Sequence, residues 1–255
     1  MLKNRVIPCL LLKNNGLVKT IKFSNPKYVG DPINAVNIFN DKEVDELIIL
    51  DITATIEGKK PNYSLLSDIA SECFMPLGYG GGVNSIEDVR KLFNLGIEKV
   101  VINSYAVENQ EFIRSVSNIF GSQSVVVSID VKSNLWGKHE VYIRGGKQKT
   151  GLDPVTHAKQ VESLGAGELF INSIDRDGTG QGYDIKLIKS ISEVVRIPVV
   201  ACGGASKTED FKLAIKDGGA SAVAAGSIFV FQGKHRAVLI TYPLIDELEN
   251  IFKDI

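Results

Sequence analysis

The stretch Gly80-Gly81-Gly82-Val83-Asn84-Ser85-Ile86-Glu87-Asp88 decides the fold, because its pattern returns as Gly203-Gly204-Ala205-Ser206-Lys207-Thr208-Glu209-Asp210. An apolar segment follows each copy, Val101-Ile102-Asn103-Ser104 in the first and Ala222-Val223-Ala224-Ala225-Gly226-Ser227 in the second. Each copy predicts a strand, a glycine turn, a helix and a second strand. Glycines let the backbone approach a ligand closely, and helix N-termini present free N–H groups, so each copy suits an anion such as phosphate. The sequence therefore predicts two phosphate sites on one fold.

The repeat extends beyond these glycine turns. Val44-Asp45-Glu46-Leu47 corresponds to Ala166-Gly167-Glu168-Leu169, and the spacing between the two glutamates equals the spacing between Gly82 and Gly204. A repeat of half the chain differs from a solenoid, whose period is about 20–50 residues. We therefore expect a single domain over 1–255 that consists of two half-barrels, approximately 1–121 and 122–255.

Composition narrows the class of protein. The chain has 255 residues and a net charge of −1, which predicts neither a nucleic-acid surface nor a membrane surface. The apolar run near the N-terminus is too short for a signal peptide or a membrane span, so a cytoplasmic location is expected. Three cysteines and three histidines are widely scattered, and this pattern predicts no disulfide framework, no metal site and no cofactor.

Strand and helix patterns alternate along the chain. Apolar runs predict eight strands, at 6–12, 46–51, 75–79, 99–103, 124–130, 168–173, 198–202 and 220–225. Helical patterns separate them, and an amphipathic helix is expected at 244–252. Two interruptions are predicted to be polar segments, 13–31 with a small hairpin at 18–23, and a hairpin within 132–150. The alternation predicts the α/β class and a closed (β/α)₈ TIM barrel with a twofold repeat, an open doubly wound sheet being the alternative.

The carboxyl ends of the barrel strands should carry the chemistry. Asp130 ends the fifth predicted strand and suits a general acid or base, whereas the alternative is a helix cap or an ion pair with Lys132. The corresponding residue of the first half is Leu11, which has no acid–base capacity. Further residues expected at this end, around the two phosphate sites, are Asp51, Gly82, Asn103, Ser104, Asp177, Gly178, Gly204, Gly226 and Ser227.

Four charged residues stand where strands begin, at the opposite pole. They are Arg5, Glu46, Lys99 and Glu168, two of each sign. The pattern indicates a neutral ring that closes the barrel floor. A buried ring of charges is less stable than an apolar plug, so the charges can indicate a function, such as a gate. A purely structural role is the alternative.

The sequence resembles the cyclase subunit of imidazole glycerol phosphate synthase, the HisF family, over its whole length. The matching motifs are Arg5-Val-Ile-Pro-Cys9-Leu10, Gly30-Asp31-Pro32, Asp45-Glu46-Leu47, Leu50-Asp51-Ile-Thr53-Ala54, Gly80-Gly-Gly82, Ile102-Asn103-Ser104, Phe120-Gly-Ser-Gln123, Gly151-Leu-Asp153, Gly165-Ala-Gly-Glu168, Asp175-Arg-Asp-Gly-Thr179 and Gly203-Gly204.

The resemblance implies a heterodimer with a HisH-like glutaminase of the class I amidotransferase type. Ammonia from that partner would travel through the barrel and react at its mouth with a phosphorylated ribulosyl-aminoimidazole nucleotide. The resemblance makes Lys19 and Asp130 catalytic, and it assigns the ammonia gate to Arg5, Glu46, Lys99 and Glu168. It assigns the phosphate sites to Gly82, Asn103, Ser104, Asp177, Gly178, Thr179, Gly204, Gly226 and Ser227.

One residue departs from the family pattern. The family uses two aspartates as acid and base, and Leu11 stands where the first is expected. Losing a positioned acid or base typically costs about 10²–10⁴-fold in rate. The segments 8–13, 18–23 and 234–243 resemble a paralogous group, the WbuZ-type glycosyl-amidation proteins. Those proteins are associated with surface polysaccharides and act with a glutaminase homologue and a sugar amidotransferase to form acetamidino sugars.

Three hypotheses follow for the activity. The first is an ammonia-using synthase or cyclase subunit that serves acetamidino-sugar formation. The second is a lyase-type cyclase of histidine biosynthesis in which another group compensates for Leu11. The third is a scaffold without catalysis that binds a phosphorylated ligand and channels ammonia.

Overall fold

A computed structural model describes residues 4–134 and 136–253 of the protein. The strands are β1 (Arg5–Lys13), β2 (Gly16–Ile21), β3 (Ser24–Gly30), β4 (Leu47–Asp51), β5 (Leu77–Gly80), β6 (Lys99–Ile102), β7 (Val125–Ser133), β8 (His139–Ile143), β9 (Gln148–Lys149), β10 (Glu168–Ser173), β11 (Val199–Cys202), β12 (Ala222–Ala225), β13 (Phe231–Gln232) and β14 (Ala237–Val238). The helices are α1 (Pro32–Asp41), α2 (Ala54–Glu57), α3 (Tyr63–Glu72), α4 (Ile86–Asn94), α5 (Ser104–Glu108), α6 (Glu111–Phe120), α7 (Pro154–Ser163), α8 (Ile185–Ser192), α9 (Thr208–Lys216), α10 (Ser227–Val230) and α11 (Ile245–Phe252), and a 3₁₀ turn covers Ser122–Ser124.

Eight parallel strands form the barrel, in the order β1-β4-β5-β6-β7-β10-β11-β12. The pairing of β12 with β1 closes the ring, as does the pairing of β7 with β10. The predicted (β/α)₈ barrel is therefore confirmed, and the open sheet is excluded. The division into two half-barrels stays a prediction, and its outer limits, residues 1 and 255, lie outside the described residues.

Local sequence explains where the helices begin. Asp31 and Asp153 each precede a proline, and their side chains accept hydrogen bonds from the backbone N–H three residues later, so α1 and α7 start there. Ser85 caps α4 and Asp184 caps α8 in the same way. None of the described helices combines the length and the apolar character that a bilayer crossing requires.

The apolar core has two layers, which the barrel wall separates. The larger layer lies between the outer faces of the strands and the surrounding helices. The smaller layer fills the barrel itself and consists of Ile7, Cys9, Ile48, Val101, Val126, Phe170, Val200, Cys202, Ala222 and Ala224. Glycine is needed on β5, because a Cβ atom on Gly80 would lie 2.7 Å from the carbonyl oxygen of Val101. The interior between the two poles is therefore filled mostly by apolar side chains.

Two hairpins rise from the mouth of the barrel, after β1 and after β7. The first, β2–β3, occupies 16–30 and is longer than the hairpin predicted at 18–23, which was wrong in extent. The second, β8–β9, was predicted and continues the antiparallel extension of β7. The short helices α2, α5 and α10, which follow barrel strands, were not predicted.

Candidate functional site

A cavity of about 490 Å³ opens at the carboxyl ends of the barrel strands. Eleven of the residues predicted for catalysis or phosphate binding line it, namely Lys19, Asp51, Gly82, Asn103, Ser104, Asp130, Asp177, Gly178, Gly204, Gly226 and Ser227. Thr179 is not among the lining residues, and its hydroxyl donates a hydrogen bond to the carbonyl oxygen of Arg176 at 2.7 Å. The fold thus brings together residues that are more than 200 positions apart in the sequence.

The first glycine turn forms one wall of the cavity. Gly82 has a φ of +71°, and a Cβ atom there would lie 2.5 Å from the carbonyl oxygen of Lys59, so the turn admits only glycine. Asn103 precedes helix α5, and its side-chain amide donates to the carbonyl oxygen of Ser128 at 2.9 Å. The Ser104 hydroxyl accepts from the backbone N–H of Arg144 at 2.9 Å. Small residues thus line the cavity on this side, and the N–H groups of Gly82 and Arg144 donate to hydroxyl groups of the protein.

The second glycine turn lies across the mouth from the first. A Cβ atom on Gly204, whose φ is +111°, would overlap the carbonyl oxygen of Gly182. A Cβ atom on Gly226 would overlap the ammonium group of Lys19. The cation of the first hairpin therefore lies directly against the turn that follows β12.

Asp130 is buried at the mouth end of β7. Burial, with a smaller contribution from the negative charge of Asp177, raises the pKa of Asp130 to about 7, although Ser128 and Asn103 hydrogen bonds oppose the shift. Lys132, the alternative ion-pair partner, places its ammonium 5.8 Å from the centroid of the Tyr142 ring. An acid near neutrality can both give and take a proton, which suits general acid–base catalysis.

Asp177 and Asp51 make bonds within the protein. An Asp177 carboxylate oxygen accepts from the Thr20 hydroxyl at 2.8 Å and from the backbone N–H of Phe23 at 3.2 Å, which fixes the first hairpin over the mouth. Asp51 accepts from the backbone N–H and the hydroxyl of Thr53, both at 2.8 Å. Both carboxylates line the cavity and also hold its loops.

Lys19 is buried under the first hairpin. Its ammonium donates to the carbonyl oxygen of Cys9, and burial lowers the pKa of Lys19. The hairpin thus places the predicted catalytic lysine inside the barrel mouth.

The four predicted floor residues form a closed ring of alternating charge. The guanidinium of Arg5 pairs with Glu46 and with Glu168. The ammonium of Lys99 lies 2.8 Å from Glu46 and 2.9 Å from Glu168. The two glutamates are 3 % and 6 % exposed, so each carboxylate depends on both cations for its partners. The predicted juxtaposition is therefore present at the amino ends of the strands.

The sequence profile of the family described as "Histidine biosynthesis protein" matches residues 5–236. The chain belongs to the histidine biosynthesis protein family. It is 53 % identical over 249 residues to the Pseudomonas aeruginosa protein named "Putative imidazole glycerol phosphate synthase subunit hisF2", covering 98 % of this chain and 99 % of that one. It is 48 % identical over 253 residues to a Leptospira interrogans protein named "Putative imidazole glycerol phosphate synthase subunit HisF", covering 99 % and 100 %.

A third relative within the histidine biosynthesis family is the "Imidazole glycerol phosphate synthase subunit HisF" of Alkaliphilus metalliredigens. It is 44 % identical over 229 residues, which cover 90 % of this chain and 91 % of that one. The resemblance found in the motifs is thus confirmed at the level of the family. The finer likeness to WbuZ-type proteins stays a prediction.

Among the cavity residues that the sequence did not predict as site residues, three have polar or reactive side chains of interest in this histidine biosynthesis family member. Cys9 and Cys202 line the bottom of the cavity. Asn172 is paired in register with Asp130, is buried, and has a side-chain oxygen without a hydrogen-bond partner. Strand periodicity could have found Cys9, because it lies two residues before Leu11 and so shares its inward face.

Proposed function

We propose that the protein takes ammonia from a glutaminase partner through its floor and joins it to a phosphorylated substrate at its mouth. The proposal depends on one observation. The barrel has a closed ring of charges at one pole and, at the other, a cavity that Asp130 lines. The barrel interior between them is mostly apolar, which suits a small neutral molecule better than an ion. Two glycine turns on opposite walls suit a substrate that carries a phosphate at each end.

Leu11 favours the acetamidino-sugar pathway over histidine biosynthesis as the place of this activity. Leu11 lines the cavity on β1, and Asp130 lies on β7, with three strands between them in either direction around the barrel. A leucine supplies no proton at the wall opposite Asp130, so the pair of acids expected of a cyclase is incomplete. We infer that the product serves a surface polysaccharide, with a sugar amidotransferase as a further partner.

A cyclase of histidine biosynthesis is the second candidate. The relative from Alkaliphilus metalliredigens favours it, because that protein is named as a synthase subunit and matches over most of both chains. Deleting the gene separates the candidates. The proposal expects loss of acetamidino sugars from the surface polysaccharide, measured by mass spectrometry, and growth without added histidine. A histidine requirement with unchanged polysaccharide would establish the second candidate instead.

The purified chain provides an independent test. Incubation with the aminoimidazole nucleotide of the histidine pathway and an ammonium salt should give turnover far below that of an ordinary cyclase. Passage through the floor is tested with Lys99→Met in complex with the glutaminase. Glutamine hydrolysis should continue while glutamine-dependent product falls, and product formed from added ammonium should persist. The exposed Lys91→Met substitution is the control and should leave glutamine use coupled to product.

A further inference from the structure

Two buried thiols and one buried ammonium meet at the bottom of the mouth cavity. The thiols of Cys202 on β11 and Cys9 on β1 lie close enough that each shifts the pKa of the other. The ammonium of Lys19 donates to the carbonyl oxygen of Cys9. Both thiols line the cavity from within the barrel. The acid–base groups expected from the sequence do not include either thiol.

A disulfide does not explain this pair. The strands β1 and β11 are separated by β12. Neighbouring strands are about 4.8 Å apart, so Cα atoms two strands apart are separated by roughly 9 Å. A disulfide needs Cα atoms about 4.4–6.8 Å apart, so it would require the barrel wall to deform. The third cysteine, Cys73, lies outside the cavity lining at the end of α3.

We propose that Cys9 is the proton-transfer group that replaces the carboxylate absent at Leu11. Cys9 and Leu11 lie on the same strand, two residues apart, and both side chains line the cavity. Asp130 lies on the opposite wall of the barrel, with three strands between β1 and β7 in either direction. A thiolate at Cys9 and a carboxylic acid at Asp130 therefore face the same space from two sides. This inference rests on the proposed function, because the proposed function identifies ammonia as the molecule that loses the proton.

The surroundings of Cys9 favour its thiolate. The neighbouring Cys202 thiol lowers the pKa of the Cys9 thiol; burial opposes this shift, and the Lys19 ammonium adds to it. The interaction with Cys9 and burial both raise the pKa of Cys202, so Cys202 stays protonated. The other charged groups that act on Cys9 are Asp130 and Asp177, which oppose the shift. The adjacent strands β4 and β12 contribute Ile48, Ala222 and Ala224 to the interior layer that contains Cys9, and Asp51 lines the cavity at the end of β4.

Addition of ammonia at the mouth would use Cys9 as the base and Asp130 as the acid. The lone pair of ammonia forms a bond to an electrophilic carbon of the substrate, and the π bond of that carbon gives its electron pair to the attached heteroatom. One N–H proton moves to the Cys9 thiolate, which becomes a thiol. The Asp130 carboxylic acid gives its proton to the heteroatom and becomes a carboxylate. The reverse pair of transfers in the next step restores both groups, so no oxidant or further reactant is needed.

The thiolate is tested without any ligand. Ultraviolet thiolate absorbance is followed against pH for Cys73→Ser and for Cys73→Ser with Cys9→Ser, and the difference reports Cys9 alone. The proposal expects thiolate to form below the ordinary thiol range of about 8.5. Cys202→Ala should move this titration to higher pH, because it removes the thiol that lowers the pKa of Cys9. Titration at or above the ordinary range would overturn the proposal.

The proton transfer is tested in the deletion strain. Complementation with Cys9→Ser should lower the rate of acetamidino-sugar formation by about 10²–10⁴-fold, whereas Cys73→Ser should leave it unchanged. Adding Leu11→Asp to Cys9→Ser should restore a large part of the product. Full activity of both Cys9→Ser and Cys9→Ala would overturn the role of Cys9. Failure of the wild-type gene to restore acetamidino sugars would instead refute the proposed function, and the thiolate titration would still decide the state of Cys9.

Discussion

Replacing Lys99 by methionine tests whether the floor residues act as one network. The substitution keeps the length of the side chain and removes one of the two cations of the ring. The buried carboxylates of Glu46 and Glu168 would then share Arg5 alone. The expected result is a loss of stability that depends on charge and not on packing.

The structure sets the size of this effect. At the separations of 2.8 Å and 2.9 Å, each attraction between Lys99 and a glutamate is about 6 kcal/mol for an effective dielectric constant of about 20. Desolvation of the three groups offsets most of that attraction, and removing one partner of a buried pair typically costs about 3–5 kcal/mol. Because Lys99 is 19 % exposed, water can replace part of the lost contact. We expect a loss of about 3 kcal/mol in the free energy of unfolding.

Denaturant unfolding of matched variants measures this loss. Lys91 forms an exposed pair with Glu87 at 3.6 Å, and its ammonium lies 5.5 Å from the centroid of the Tyr63 ring, so Lys91→Met should cost at most about 1 kcal/mol. The double variant Lys99→Met with Glu46→Gln restores neutrality in the ring and should be more stable than Lys99→Met alone. A loss for Lys99→Met no larger than the control, or additive losses in the double variant, would refute a closed network.

Three further predictions concern the mouth and the end of the chain. Because burial raises the pKa of Asp130 from 3.8 to about 7, the wild type loses stability as pH rises through that interval. Asp130→Asn should therefore be more stable than the wild type by up to about 4 kcal/mol above pH 8 but by less than about 1 kcal/mol at pH 4, and an equal difference at both pH values in urea unfolding would contradict this expectation. Asp177→Ala should speed amide hydrogen exchange in the β2–β3 hairpin, because its carboxylate accepts a hydrogen bond from Thr20. Asp175→Ala should speed exchange at the end of β7 and in β8, because its carboxylate accepts from the N–H of Ser133, which pairs with β8; equal effects of both variants on both regions would contradict this assignment. Tyr242→Phe removes the 2.8 Å bond to the carbonyl oxygen of Val6 and should cost about 1 kcal/mol in unfolding free energy, and an unchanged value would show that water satisfies the carbonyl.

The barrel was predictable because its determinants are local. Apolar runs fix the strands, and Asp31 and Asp153 before proline fix two helix starts, so the limits of most elements followed from nearby residues. The floor ring was also predictable in outline. In a closed barrel, an inward-facing charged residue at the start of a strand must lie at the amino-terminal pole. This placement does not depend on which residues fill the layers above it.

Parts of the site depend on contacts between distant residues and could not be predicted. The carboxylate of Asp177 bonds to Thr20, 157 positions away, and this contact brings the first hairpin and Lys19 into the mouth. Nothing in 13–31 alone indicates that contact. The sequence likewise does not show that the thiols of Cys9 and Cys202 meet, because β12 stands between their strands and only closure of the barrel brings them together.

The floor ring also affects how the two halves of the barrel would associate if the chain were cut between β6 and β7. Arg5, Glu46 and Lys99 precede a cut between β6 and β7, and together they carry one excess positive charge. Glu168 follows that cut and carries one negative charge. Two fragments produced there would thus each bear an uncompensated charge at the future floor, of opposite sign. Reassociation of the fragments would neutralise both, so electrostatic attraction at this pole favours joining in the correct orientation.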